Sequence, residues 1–355
     1  MAAGRASVET LRALEDRAID EVLQKQRDIG LDVLTDGEMR RGSWLTDMAE
    51  AVEGFVPSRV AMTWKGPGGS TETSTANAAG AKLRKTRMLT AHEAPHLLRA
   101  ARRLFDSRSS QTPAQGRAFK ITLPAPSNFM IASYKPGITD RAYPTRQALL
   151  DDIVQIIRDE VRWLVDQGVT YIQFDAPFYS NYLDPQHRGR LAAQGVDPDR
   201  ELAAAVAGDN AALADIPRES VTCAMHVCRG NSRSRWYAEG GYDAIAERLF
   251  GSVDVDTFLL EYDDERSGGF EPLRHLPAGR NVVLGLITTK QPVLELPADL
   301  RRRIDEAARH VPLERLAISP QCGFASVASG NLLSMDDQWR KLELVVKTAR
   351  DVWTV

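Results

Sequence analysis

The sequence predicts an α/β fold on a parallel sheet, a (β/α)8 TIM-type barrel whose first strand is missing from the chain as given. Three observations predict it. Short apolar runs alternate with helical periodicities along most of the 355 residues, the pattern of strands joined by crossover helices. Seven such runs end at Thr35, Leu123, Asp175, Cys228, Glu261, Ile287 and Pro320, where a closed barrel wants eight. The chemically distinctive side chains fall at or just past the C-terminal ends of these runs, the face on which barrel enzymes carry their chemistry. The expectation is one domain, 1–355, that starts after its first strand and carries an irregular insertion at about 51–117.

Each element has its own local signal. Leu11, Leu14, Ala18 and Val22 share one helical face over 7–29, and Gly30 supplies a stop. A strand over 31–35 runs into the charged turn Asp36-Gly37-Glu38-Met39-Arg40-Arg41. Between 51 and 117 the periodicity loosens; the Gly, Ser, Thr and Ala run at 66–80 reads as a mobile loop or hairpin tip, and 92–105 as a helix. A strand over 119–123 follows. Thr145 caps a long helix whose Leu149, Ile153, Ile156, Ile157, Val161 and Leu164 form an apolar stripe, closed by Gly168. In the strand 170–175, Gln173 and Asp175 share a face. Asp197-Pro198 is a cap and first-turn pair for a helix to about 215. After the strand 221–228 come a helix near 242–250, strands 257–261 and 281–287, a helix over 298–310, and the strand before Cys322. Ser334 and Asp337 form a capping box for the last helix.

Bulk composition excludes several classes. A net charge of −3 without a long basic run argues against nucleic-acid binding, which needs a cationic footprint. No apolar stretch reaches the roughly 18 residues of a membrane span, and the first residues lack an apolar signal core, so a cytoplasmic protein is expected. Three cysteines do not make a disulfide scaffold. Cys223 and Cys228, five apart in one strand, do not reach each other, which leaves reduced thiols as ligands.

A strand puts residues two apart on one side, so His226 and Cys228 point the same way. Glu261 and Cys322 stand at two further strand ends. One imidazole, two thiolates and a carboxylate suit tetrahedral Zn²⁺, while a histidine alone in a strand is an ordinary core residue; the residues by themselves leave both readings open. His92-Glu93-Ala94-Pro95-His96 has the spacing of a zinc-protease motif, but that motif needs a helix interior and Pro95 opposes an uninterrupted helix there, so it reads as surface histidines. His187, His275 and His310 read as loop or helix-end residues. Glu38 lies at a strand end with Arg40 or Arg41 available to a ligand carboxylate or phosphate, or belongs to a solvated charged turn. Asp175 sits among Phe174, Ala176, Pro177 and Phe178, where an acid usually has an assigned partner. Gly240-Gly241 and Gly268-Gly269 read as turns.

These residues carry a family resemblance. The segment 31–38, Gln173-Phe174-Asp175-Ala176-Pro177, His226-Val227-Cys228, Glu261 and Ser319-Pro320-Gln321-Cys322-Gly323 together resemble the C-terminal catalytic barrel of cobalamin-independent methionine synthase. The runs 226–231, 262–265 and 319–324 are closer still to the single-barrel methionine-synthase-like proteins of that superfamily, to which epoxyalkane:coenzyme M transferases are also related. The likeness extends from about residue 6 to the C-terminus. It implies a (β/α)8 barrel, a Zn²⁺ held by His226, Cys228, Glu261 and Cys322 to which a substrate thiol binds, and Glu38 and Asp175 on the amino group of homocysteine. Lys290 stands where the family has a proton-donating histidine. The family's first strand and its turn have no counterpart before Met1, and the second barrel of the full synthase is not replaced, so the methyl donor is left unassigned.

The expected activity is a zinc-dependent thiol S-methyltransferase of methionine biosynthesis, with Glu38, Asp175 and Lys290 as catalytic residues. Its partners would be a homocysteine-like thiol and an alkyl donor, with no nucleic acid and no membrane; a homo-oligomer is compatible with the sequence. The alternatives are thiol alkylation of the epoxyalkane:coenzyme M transferase type and a catalytically silent zinc- or thiol-binding barrel.

Overall fold

The computed structural model describes residues 7–105 and 118–353. Strands are labelled β1 (Val33–Leu34), β2 (Val52–Thr63), β3 (Thr71–Lys85), β4 (Ala118–Phe119), β5 (Ile121–Pro124), β6 (Tyr171–Asp175), β7 (Thr222–Val227), β8 (Thr257–Glu261), β9 (Asn281–Ile287) and β10 (Leu316–Pro320). β5 to β10 form one parallel sheet in chain order, and β1 pairs in parallel with β4. Since β4 and β5 are interrupted only at Lys120, the seven expected strands follow one another across the fold. Among the described residues no pairing joins β10 to β1. Behind these two outer strands the helices Val8–Ile29 and Met335–Val352 meet, with the Lys25 ammonium 4.3 Å from the Trp339 ring centroid. No helix among the described residues is long and apolar enough to cross a membrane.

The sequence signals act where the chain placed them. Ser7 accepts from the Thr10 amide and Gly30 closes the first helix at φ 96°, a left-handed conformation that glycine adopts without Cβ strain. Thr145 caps Arg146–Asp166, whose Leu149, Ile153, Ile157, Val161 and Leu164 are fully buried; truncating any one to alanine would cost about 2–5 kcal/mol. The Ser334–Asp337 capping box is formed.

Most of the stretch expected to be irregular is a regular hairpin and a helix, and its last part, 106–117, lies outside the described residues. β2 and β3 pair antiparallel along their length from Thr63↔Thr71 to Val52↔Lys85, so only the tip around 64–70 is a turn. Its small and β-branched residues pair well on a half-exposed ladder, and their mixed polarity hid the two-residue period. The shaft is tied down where the Leu83 amide donates to Tyr143 Oη at 2.7 Å, and the tip where the Lys65 amide donates to the Trp236 carbonyl at 2.7 Å and Glu72 pairs with Arg235 at 2.5 Å. The hairpin thus leans on the loop that follows β7, at the sheet's C-terminal end.

Candidate metal centre

Parallel pairing sets the site's lower edge. Asp175 at the end of β6 is in register with His226 on β7, and Cys228 follows one residue past the end of β7. Cys322 arrives from the third side: the β10 register shifts between Ser319 and Pro320, and the Gln321 amide then donates to the Ile287 carbonyl at 2.8 Å. That crossing needs Gly285, because a Cβ there would stand 2.7 Å from the Leu260 carbonyl oxygen and 2.8 Å from Gln321 Cα.

The result is a group of three donor atoms, from His226, Cys228 and Cys322, all within 4.8 Å of one another and able to hold a metal ion. His226 Nδ1 lies 3.2 Å from the Leu259 carbonyl, and Nε2 is buried with no hydrogen-bond partner. With Nδ1–H donated to that carbonyl, the lone pair of Nε2 faces the thiols. Contact with Cys228 holds the Cys322 thiol well below the usual range, while the same contact, with burial, pushes Cys228 well above it. Burial disfavours the charged imidazole, but the Cys322 thiol beside it outweighs this and raises the His226 pKa; an imidazole and a thiol of low pKa pressed together away from water are a donor set that a cation would satisfy.

Glu261, the fourth expected ligand, is near but not in this group. Its fully buried carboxylate accepts from the Arg229 amide at 2.6 Å and Arg266 Nη2 at 2.6 Å, with Lys290 Nζ at 3.4 Å. Burial alone would raise its pKa, but Lys290, Arg266 and Arg229 outweigh it and draw the value to about 2. Lys290 also reaches Asp263 at 3.4 Å, so its ammonium is spent between two carboxylates behind the donor group.

Glu38 and Asp175 line the same cavity, of about 2310 Å³, as the three donors. Glu38 takes the left-handed region at φ 54°, rare for a residue with a side chain, and accepts from Thr122 Oγ1 at 2.7 Å. Asp175 accepts from Gln173 Nε2 at 2.6 Å, the same-face pair the strand period implied. Burial, then the nearby Glu38 charge, pushes Asp175 up to about 6. The cavity also runs into the gap between β1 and β10, where Val33, Leu316 and Ile318 line it. Edge-to-face contacts link Trp44 to Phe178, Phe178 to Tyr237 and Tyr237 to Trp64, at 5.9, 6.0 and 6.4 Å, making an aromatic rim.

Several sequence expectations are corrected here. Arg40 and Arg41 are not free for a ligand: Arg40 pairs with Glu15 and Asp16, and Arg41 with Asp47 at 2.7 Å and Glu93 at 2.6 Å. His96 is buried between Asp16 and Asp20, whose carboxylates arrive from the first helix, and His187 lies under the distant Tyr237 ring with Nδ1 3.0 Å from Oδ1 of Asn181 in the preceding short helix. Gly268 does mark a turn, at φ 76° and packed against Gly241. Periodicity also missed Lys120 and Thr122, both lining the cavity. Their signal was available: a lysine and a threonine two apart place polar groups on one side of an apolar strand.

Comparison with known proteins bears on the same residues. A family model described as the catalytic domain of cobalamin-independent synthase matches residues 133–349, which include the three donors, Asp175, Glu261 and Lys290. The uncharacterized protein YxjH of Bacillus subtilis (strain 168) is 38% identical over 357 residues, spanning 99% of this chain and 89% of that one. Methionine synthase of Pyrococcus abyssi is 27% identical over 210 residues, 59% of this chain and 51% of its own. A solved structure from Listeria monocytogenes, described as a candidate vitamin-B12-independent methionine synthase, superposes with a TM-score of 0.70 at 26% identity over 100% of this chain and 92% of its own.

Proposed function

Because the chain belongs to the family of the cobalamin-independent methionine synthase catalytic domain, a methyltransferase family, we propose that it transfers a methyl group to an amino-bearing thiol of the homocysteine type in a zinc-dependent reaction. The observation that carries this reading is the shared cavity: three metal-binding donors with an uncommitted His226 Nε2, facing two carboxylates, Glu38 and Asp175. An imidazole and two thiols are the donor chemistry of a catalytic zinc with its fourth position open. His226, Cys228 and Cys322 would hold the ion, which when bound supplies Lewis acidity that lowers the pKa of an incoming thiol.

The chain's own residues do the rest. A buried acid whose pKa is raised first by burial and then by a neighbouring carboxylate is a receptor for a cation, since an ammonium placed between the two favours the ionised form of both. They select a thiol carrying an amino group and fix how its sulfur faces the donors. Thr122 and Gln173 hold the two carboxylates by their second partners. The rim of Trp44, Phe178, Tyr237 and Trp64 narrows water access and offers flat faces to a methyl donor. Glu261, Lys290 and Arg266 form a charged wall behind the donors, in which Lys290 holds a proton at Nζ between Glu261 and Asp263. Glu261 becomes a fourth ligand only by leaving that pairing.

The test is direct. Zinc-loaded protein should show an added sulfur neighbour in zinc-edge spectra on homocysteine addition, and methionine should form with one member of a panel of methyl donors. Unchanged spectra at saturating homocysteine would refute the reading.

A further inference from the structure

We propose that Lys120 binds the α-carboxylate of the thiol substrate, making the site a receptor for an α-amino acid and not merely an amine. The inference rests on the functional reading above and adds the substrate's third group. An amino-acid thiol presents sulfur, ammonium and carboxylate, and the first two have receptors in the donor triad and in Glu38 with Asp175. The carboxylate needs a cation within one side chain's reach of the acid pair, because it shares its carbon with the ammonium.

Two cations flank the acids. Arg41 is saturated by Glu93, Asp47 and the Thr122 carbonyl. Lys120 is not. It stands between β4 and β5, two residues before the Thr122 that holds Glu38, and it lines the cavity with Glu38, Asp175 and Cys322. Among the described residues its Nζ makes a single hydrogen bond, to Gln173 Oε1 at 2.9 Å, and no ion pair. An ammonium carries three donors, so two remain for a ligand. Gln173 in turn donates to Asp175 at 2.6 Å, so lysine, amide and acid form one row along the cavity wall. A lysine inside a strand-lined interior is unfavourable unless a counter-charge meets it. Burial pushes its pKa below the lysine range even though Asp175, Glu38 and Cys322 are near; an incoming carboxylate would supply what those more distant groups do not.

The measurement compares two probes on zinc-loaded full-length protein: homocysteine, and mercaptopropylamine, which keeps the thiol and amine but lacks the carboxylate. Wild type should bind homocysteine about 10- to 100-fold more tightly, the range of one charge-assisted hydrogen bond. Lys120→Met should remove that preference while leaving mercaptopropylamine affinity within about twofold and zinc content unchanged; Lys120→Arg should restore part of it. Equal weakening for both probes, or a preference surviving in Lys120→Met, would overturn the assignment. The wild-type comparison needs no variant, so equal wild-type affinities overturn it even if the variant does not fold. Binding of neither probe by wild type would instead refute the functional reading and the assignment with it.

Discussion

Among the described residues, two groups bring three possible metal-binding side chains within 4.8 Å of one another: His226, Cys228 and Cys322 at the sheet's C-terminal end, and Asp47, His92 and Glu93 beside the first helical segment after β1. They differ in what already stands among them. In the second group the Arg41 guanidinium lies 2.7 Å from Asp47 and 2.6 Å from Glu93, so the positive charge is built in and covalently anchored. In the first, the Arg266 and Lys290 cations are held by Glu261 and Asp263, no cation is ion-paired to the three donors among the described residues, and His226 Nε2 has no hydrogen-bond partner. Proximity of donors does not distinguish a metal site from an ion-pair cluster; an unmet need for positive charge does.

The comparison breaks most visibly at the ligands. Cys228→Ser or Cys322→Ser should weaken zinc binding more than about 100-fold, exceeding the loss expected for outer partners of metal ligands, whereas His92→Ala should leave zinc content unchanged. Metal analysis after gel filtration decides it, and loss of zinc in His92→Ala would reverse the assignment of the two groups. The mirror experiment is Arg41→Met. Removing the guanidinium leaves Asp47 and Glu93 buried without their counter-charge, and unfolding by denaturant should show about 3–5 kcal/mol of lost stability. Glu261→Gln sharpens the ligand count. If Glu261 exchanges its ion pairs for the metal, zinc affinity should fall about 10- to 100-fold; affinity within twofold of wild type would leave the carboxylate to Arg266 and Lys290 alone.

Much of this was legible in the sequence, and the division has a physical reason. Strand ends are read from apolar runs, so Asp175, His226, Cys228, Glu261 and Cys322 were all located, and the period of two correctly paired Gln173 with Asp175. Caps at Thr145, Asp197 and Ser334 are local hydrogen bonds and follow from local residue types. The hairpin β2–β3 was not legible, because its faces alternate weakly and its partners, Tyr143, Trp236 and Arg235, lie far along the chain. Partner choice was the least accessible layer. Nothing near Arg41 in sequence says that Glu93 will reach it, and nothing near Glu261 says that Lys290 will. Such pairs depend on which strand ends become neighbours, a property of the assembled sheet.

The smallest expected effect tests the two carboxyls at the centre against each other. Burial acts alike on Glu261 and Asp175, yet Glu261 falls to about 2 beneath three cations while Asp175 rises to about 6 beside Glu38. For Glu261 the folded pKa lies below the ordinary 4.5, so its contribution is present above that value and lost as pH falls through about 2. For Asp175 the folded pKa lies above the ordinary 3.8; between 3.8 and about 6 the folded state binds the extra proton, so stability falls as pH rises through that window. Asp175→Asn removes this titration. In metal-free protein it should therefore flatten the stability profile across that interval, by about 1–3 kcal/mol in total, and denaturant titrations at matched ionic strength measure it. An unchanged slope would mean that neither burial nor the Glu38 charge raises the Asp175 pKa in the folded protein, and the pair would no longer qualify as a receptor for an ammonium group.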